Sequence, residues 1–170
     1  QQLGEPASPI VKKGELVRRG QQIDEGGANG VPLHASISGK IRPFDKRPHP
    51  TLGIAPAIAI AADQAAGPEL EYTLDAAWTS LSRDVALARI REAGIVGLGG
   101  AAFPTWRKLE SAARSAVDTL VLNGAECEPY LTSDHRLMLA WPDEIVEGAL
   151  ALARVVGATR VLIGVESDKP

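Results

Sequence analysis

The chain has 170 residues, of which 45% are apolar and 23% are charged, and its formal net charge is −3. This composition is that of a globular protein of one ordinary domain or two small ones, and it excludes a disordered chain. The mild acidity argues against nucleic acid as a partner. No apolar run reaches the ~18 residues of a membrane-spanning helix, and we expect no signal peptide. The single cysteine, Cys127, excludes a disulfide framework and an all-cysteine metal or iron–sulfur site within these residues.

The first 63 residues predict a small β unit. Short apolar runs are separated by glycine and proline, and no stretch of helical periodicity occurs before residue 74. The runs lie at residues 9–11, 16–17, 22–23, 31–33, 40–41 and 58–60. Glycines at regular spacing through residues 11–21 predict two successive strand-and-turn units.

This β unit resembles the barrel-sandwich hybrid fold of lipoyl and biotinyl carrier domains, through residues 11–21 and 33–41. Those carriers attach their prosthetic group to a lysine at a hairpin tip, and residues 20–39 contain no lysine. A structural or docking module is therefore a better interpretation than a carrier.

From Pro68 the pattern changes to alternating helices and strands. The sequence predicts helices over residues 82–94, 106–114, 133–140 and 142–156, and strands over residues 119–123 and 160–166. Ser82 and Thr105 are the expected N-caps of the first two helices. Strands that alternate with helices predict a parallel, doubly wound sheet joined by right-handed crossovers. Because such sheets rarely have so few strands, we expect the sequence to be part of a longer protein.

A glycine-rich loop that enters a helix, residues 97–104 (the glycine loop), is the strongest chemical signal in the sequence. Gly97, Gly99 and Gly100 have no side chains, so the backbone could approach a ligand closely. The following helix would point free N–H groups toward the loop, and Lys108 adds a positive charge. These features suit a phosphate, but tight helix–sheet packing explains the glycines equally well. The spacing is not the dinucleotide fingerprint, which needs two more residues after Gly99.

A second group of polar residues, 123–129 (the acidic loop), follows the strand predicted over residues 119–123. Asn123, Glu126 and Glu128 come at the carboxyl end of that strand, where parallel sheets bind ligands, and we expect them opposite the glycine loop. Acidic residues this close are also typical of a solvated loop. Cys127 is better interpreted as a small buried residue than as a nucleophile, because no activating base is evident. The three histidines have no metal-ligand spacing, so we expect no metal site.

Two long motifs resemble the C subunit of the Rnf/Rsx electron-transport complexes. The first comprises residues 94–105 with Lys108, and the second comprises residues 123–132. Residues 4–7 and 34–39 also resemble the opening domain of that family. The resemblance covers essentially the whole chain.

The resemblance implies a barrel-sandwich-hybrid-like β domain over residues 1–67. It implies, over residues 68–170, the first part of a doubly wound, parallel α/β flavin-binding domain similar to the flavoprotein of complex I. The protein would be the peripheral, NAD(H)-facing subunit of a ferredoxin:NAD oxidoreductase that couples electron transfer to ion translocation. It would lie on the cytoplasmic face of the bacterial inner membrane. Its partners would be the membrane subunits, NAD(H) and, indirectly, ferredoxin.

The resemblance also implies FMN as the cofactor, with two [4Fe–4S] clusters only in later segments of the family that this sequence lacks. The residues that would hold FMN are Gly97, Gly99, Gly100, Lys108, Asn123, Glu126 and Cys127. The glycines and the lysine would face the phosphate and ribityl chain, and the others would line the flavin. Phe103 and Glu128 would meet the nicotinamide nucleotide. No side chain would act as a general acid or base.

The resemblance extends to the flavoprotein of complex I, and four positions of this sequence differ from the pattern of that flavoprotein. Leu98 replaces an arginine, Ala102 a glycine, Ala125 an acidic residue and Cys127 a serine. These departures bear on the affinity for FMN. Two alternatives remain open: a related flavin and iron–sulfur cobalamin reductase, and a docking module whose flavin site is empty.

Overall fold

The computed structural model describes residues 8–49, 52–71, 77–98, 102–128 and 130–169. Packing divides the chain into two compact units, one of Gln1–Asp75 with Arg89–Thr105 and one of Ala76–Ala88 with Trp106–Pro170. Within the described ranges the architecture is mixed α/β with small sheets. No helix in these ranges combines the length and the apolar character that crossing a bilayer requires.

The first unit is built of short antiparallel strands. The strands β1 (Leu16–Val17), β4 (Gly39–Ile41) and β7 (Ile60–Ala62) form a three-stranded sheet in the order β1-β4-β7. Two further pairs are β2 (Gln22–Asp24) with β3 (Leu33–His34), and β5 (Asp45–His49) with β6 (Gly53–Ala57). Over the described residues these sheets do not close into a barrel. The sequence did not predict β5 and β6, and it placed β7 two residues too early.

Two turns of the same design shape the start of this unit. In the first, Lys12 N–H donates to the Glu15 carboxylate at 2.9 Å, and Glu15 N–H donates back to the Lys12 carbonyl at 3.1 Å. Arg18 and Gln21 make the same pair of bonds at 3.1 and 2.9 Å. The third residue of each turn is a glycine with φ of 87° and 85°, a left-handed conformation that favours glycine. The two predicted glycine turns and the strand between them, β1, are therefore confirmed. The run at residues 9–11 forms only an isolated bridge between Pro9 and Asp24 and not a strand.

The core of the first unit is small and aliphatic. Its members are Val11, Val17, Ile23, Ala35 and Ile41, with Ile58 and Ile60 packed against them. Gly39 lies in the central strand, where a Cβ would overlap the carbonyl of Ala61 in β7. A side chain at Gly39 would thus separate two paired strands.

The second unit contains the parallel pair that the sequence predicted. The strands β8 (Thr119–Asn123) and β9 (Arg160–Gly164) run parallel, in register from Thr119 beside Arg160 to Asn123 beside Gly164. The helices α3 (Ser133–Ala140) and α4 (Pro142–Val156) connect them, with the predicted bounds. Only these two strands of the parallel sheet are described, so the doubly wound arrangement stays a prediction.

The ends of α4 and the start of α1 follow ordinary capping rules. Pro142 opens α4, and Gly157 closes it with φ of 77°, donating to the carbonyls of Ala153 and Arg154. The helix α1 (Arg83–Glu92) begins after Ser82, whose hydroxyl oxygen accepts the Val85 N–H at 3.4 Å. The helix α2 (Thr105–Ala112) begins at Thr105 itself, one residue earlier than predicted, and ends two residues earlier.

Candidate functional site

The glycine loop, which lies in the first unit, is closed at its base by backbone bonds. Val96 and Pro104 form an antiparallel bridge, and Gly97 N–H donates to the Phe103 carbonyl at 2.8 Å. Thr105 N–H then donates to the carbonyl of Ile95 at 3.1 Å. The N–H of Gly97 is therefore already hydrogen-bonded within the loop. A ligand could contact Gly97 only through its carbonyl oxygen or its Cα.

Side chains near the tip of the glycine loop are exposed to solvent. Leu98 is 83% exposed, and Phe103 is more than one-third exposed. Ala102 has a positive φ of 46°, in the left-handed region where glycine is favoured. Gly99 and Gly100 lie outside the described residues, so their predicted phosphate contacts stay predictions.

The segment before the glycine loop is anchored to the β unit. Gly94 has φ of 72°, and a Cβ there would lie 2.9 Å from the Pro32 carbonyl and 3.2 Å from Nδ1 of His34. Arg91 donates to the carbonyl of Gly27 at 3.3 Å. These contacts explain why residues 89–105 group with the first unit. The predicted domain boundary near residue 67 stays a prediction.

The acidic loop follows the carboxyl end of β8 in the second unit. Its first turn is fixed by the Asn123 side-chain oxygen, which accepts the Ala125 N–H at 3.2 Å. Gly124 N–H donates to the Gly164 carbonyl at 2.8 Å, which ties the loop to the end of β9. A Cβ on Gly124 would lie 3.1 Å from both the Gly164 oxygen and the Met138 sulfur, so only a small residue fits there.

Glu126 caps the helix α3. Its Oε1 accepts the Ser133 hydroxyl at 3.1 Å and the Asp134 N–H at 2.9 Å, and its Oε2 accepts the His135 N–H at 3.3 Å. Thr132 stands at the N-cap position but makes no side-chain capping bond. The carboxylate therefore satisfies the N–H groups that the first helical turn leaves unpaired.

These bonds also change the acidity of Glu126. The hydrogen bond from Asp134 N–H is the largest cause that holds the pKa of Glu126 below its ordinary value of 4.5, against a smaller opposing effect of desolvation. Weaker contributions come from His135, Ser133 and the positive charge of Lys169. Both carboxylate oxygens of Glu126 accept hydrogen bonds from the start of α3. Its predicted place beside a flavin stays a prediction.

The other predicted site residues of the second unit present exposed side chains. Cys127 and Glu128 are exposed in the acidic loop, so the prediction that Cys127 is a small buried residue is wrong. Lys108 is exposed on α2, one position before the buried Leu109. The acidic loop thus carries Asn123, Glu126, Cys127 and Glu128 within six consecutive residues. Lys108 also belongs to the second unit, but it lies on the helix α2. Phe103 and the rest of the glycine loop belong to the first unit.

Sequence reasoning did not select the residues that follow β9. Lys169 Nζ lies 3.3 Å from a carboxylate oxygen of Glu166, and its charge also acts on Glu126. Both residues follow the carboxyl end of β9, which pairs with the end of β8 in a parallel sheet. The rule that selected the acidic loop could have selected this segment. The half-buried His135 has a buried Nε2 without a hydrogen-bond partner among the described residues.

Two family models match the chain. Residues 1–65 match the RnfC barrel sandwich hybrid domain, and residues 90–170 match the Nuo51 FMN-binding domain. Together the two models leave out only residues 66–89.

Curated relatives match over essentially the whole chain. The C subunit of the proton-translocating ferredoxin:NAD(+) oxidoreductase complex of Clostridium ljungdahlii is 40% identical over 100% of the chain and 37% of its own length. The C subunit of the Na(+)-translocating complex of Acetobacterium woodii is 40% identical over 98% of the chain and 38% of its own length. The C subunit of the ion-translocating oxidoreductase complex of Pectobacterium carotovorum is 40% identical over 100% of the chain and 23% of its own length.

The chain belongs to the RnfC family. It spans less than two-fifths of the length of these relatives. The resemblance inferred from the two loop motifs and the N-terminal half is thereby confirmed.

The described residues fit the cofactor that the second family model names. The amide nitrogen of Asn123 has no hydrogen-bond partner among the described residues, and it can donate to the carbonyl oxygens of a flavin ring. The exposed ammonium of Lys108 suits a phosphate. The side chains of Cys127 and Glu128, in the same loop, are exposed to solvent.

Proposed function

We propose that this chain is the FMN- and NAD(H)-binding part of the RnfC subunit of an ion-translocating ferredoxin:NAD oxidoreductase. The observation that carries the proposal is the match of residues 90–170 to an FMN-binding domain, because that range contains both the glycine loop and the acidic loop. The names of the relatives favour this complex over the cobalamin reductase.

In this proposal the chain binds and orients, and the cofactor reacts. Lys108, with the backbone of Gly97, Gly99 and Gly100, holds the phosphate and ribityl end of FMN. Asn123 donates to the flavin ring, with Cys127 beside it. FMN would supply the redox chemistry, because a flavin accepts a hydride from NADH and releases electrons singly.

Two exposed side chains are proposed to meet the nicotinamide nucleotide. Phe103 offers an aromatic face at the edge of the glycine loop, and Glu128 offers a carboxylate that can accept hydrogen bonds from a ribose. Neither residue needs to move a proton. Glu128 therefore orients the nucleotide rather than acting as an acid or base.

The wider setting is also proposed. The protein would lie against the membrane subunits of the complex on the cytoplasmic face, and ferredoxin would exchange electrons with it indirectly. Iron–sulfur clusters would be held by parts of the protein outside this sequence, because Cys127 is its only cysteine.

The proposal is tested with the full-length protein loaded with FMN and titrated anaerobically with NADH. We expect NADH to bleach the flavin, and Glu128→Gln to raise the NADH concentration for half-reduction about tenfold without changing the FMN content, since a charge-assisted hydrogen bond is lost. Glu147→Gln, at an exposed carboxylate on α4, is the control. A full-length wild-type protein that takes up no FMN would instead support the docking module with an empty flavin site.

A further inference from the structure

The β5–β6 hairpin, with the adjoining residues 42–44 and 52, extends from the β unit (the arm). In the sequence the arm lies between β4 and β7, which pair with each other in the three-stranded sheet. The last bond of that pairing before the arm runs from the Arg42 N–H to the Ala59 carbonyl, at 2.9 Å. Beyond that point β5 and β6 pair over five residues each, and among the described strands they pair only with each other. A two-stranded ribbon of this kind has little stability of its own and gains by packing against another surface.

Two prolines limit how the arm could pair with another strand. In the register of the hairpin, Pro56 lies opposite Lys46 and Pro48 lies opposite Ile54. Because proline has no N–H to exchange, these are non-hydrogen-bonded pairs, whose backbone groups point away from the partner strand. Each edge of the arm thus lacks one outward donor, which disfavours the addition of a further strand.

One face of the arm is open and mostly apolar. Alternation along the strands places Lys46, Pro48, Ile54 and Pro56 on the same face, and all four are exposed. Ile54 is 66% exposed, and Phe44, just before β5, is 49% exposed. On the opposite face His49, Ala55 and Ala57 are partly covered, and Asp45, Arg47 and Gly53 are exposed. The apolar face is therefore the more open of the two, since all four of its residues are exposed.

The arm carries positive charge in a chain that is acidic overall. Between residues 26 and 62 the basic residues are Lys40, Arg42, Lys46 and Arg47. The one acidic residue in that stretch is Asp45. Its carboxylate oxygen lies 3.7 Å from a guanidinium nitrogen of Arg47, whose positive charge balances it. Since the whole chain has a net charge of −3, the arm is a local basic surface that would attract an acidic one.

We propose that the arm docks by its open face onto an acidic protein surface with an apolar centre, supplied by another protein of the complex. The proposal rests on the proposed function, which places the chain in such a complex. Proline and isoleucine side chains lose little conformational freedom on docking, so a face built from them suits a fitted protein surface. Lys46 and Arg42 would form the charged rim that guides the approach.

The experiment uses the full-length protein in the assembled complex, purified through a tag on a membrane subunit. Ile54→Asp is expected to lower the amount of full-length protein retained at least about tenfold, as at a buried interface position. Lys46→Glu is expected to lower retention less, and added salt should weaken the retention of the wild type. Val85→Asp, at an exposed apolar position in the first turn of α1, is the control, and thermal unfolding checks that each variant folds.

The outcomes separate the arm from the proposed function. Wild-type retention of both Ile54→Asp and Lys46→Glu would overturn the docking role of the arm and leave the proposed function intact. A wild-type protein that does not co-purify with the complex would overturn both. If the isolated wild-type protein, but not Ile54→Asp, sediments with phosphatidylglycerol vesicles, the arm binds lipid and the protein-docking proposal is wrong.

Discussion

At the scale of single residues, Glu126 shows the limit of inferring a site from a strand end. The sequence correctly placed Glu126 at the carboxyl edge of a parallel strand, and from the family resemblance it predicted a flavin contact. The structure gives the carboxylate three donors from the start of α3. The capping residue lies seven positions before Ser133, outside the usual N-cap position, so local capping rules could not identify it.

Glu126 should make the stability of the second unit depend on pH. Its pKa is lowered in the folded state, chiefly by the bond from Asp134 N–H, so its stabilisation is present above pH 4.5 and is lost as the pH falls through the folded pKa. We expect Glu126→Gln to lower the Tm at pH 7. We also expect the variant to lose less stability than the wild type on acidification below pH 4.5.

The measurement is thermal unfolding followed by circular dichroism between pH 7 and pH 3. Glu147→Gln serves as the control, because the exposed Glu147 caps no helix. Parallel pH profiles for the wild type and Glu126→Gln would contradict the capping role.

At the scale of secondary structure, the elements with strong end signals were predicted well. Proline at the first position and glycine after the last gave α4 its bounds, and two short apolar runs gave the parallel pair. The β5–β6 hairpin was missed because Pro48 and Pro56 interrupt the pattern of a strand. Prolines are tolerated there because neither strand of the hairpin pairs with a third strand among the described residues, a tertiary fact that a single segment does not reveal.

The helix α4 offers a test of how it packs on the sheet. Gly148 is exposed and a Cβ there would meet no atom within 4 Å, so Gly148→Ala should stabilise the protein by about 0.5–1 kcal/mol. The next residue, Ala149, is only 2% exposed, and Ala149→Leu should destabilise by about 1–3 kcal/mol through overpacking. Urea unfolding measures both changes. Similar effects at the two positions would contradict the packed face assigned to α4.

At the scale of the whole molecule, the sequence predicted the change from a β unit to alternating helices and strands. It could not predict that residues 89–105 group with the β unit, because this depends on long-range contacts such as that of Gly94 with Pro32. Two observations tie the segment before the glycine loop to that unit: the close approach of Gly94 to His34 and the Arg91 bond to Gly27. The FMN site residues themselves were named by resemblance, since spacing alone left phosphate binding and packing equally open.

The most direct test of the account is a titration of the full-length protein with FMN, followed by quenching of flavin fluorescence. Lys108→Gln and Asn123→Ala should each raise the Kd about tenfold, because each removes one polar contact to the cofactor. Arg114→Gln, at an exposed cation that lies 3.6 Å from Glu110, should leave the Kd unchanged. Wild-type affinity in both Lys108→Gln and Asn123→Ala would contradict the assignment of these residues to an FMN site.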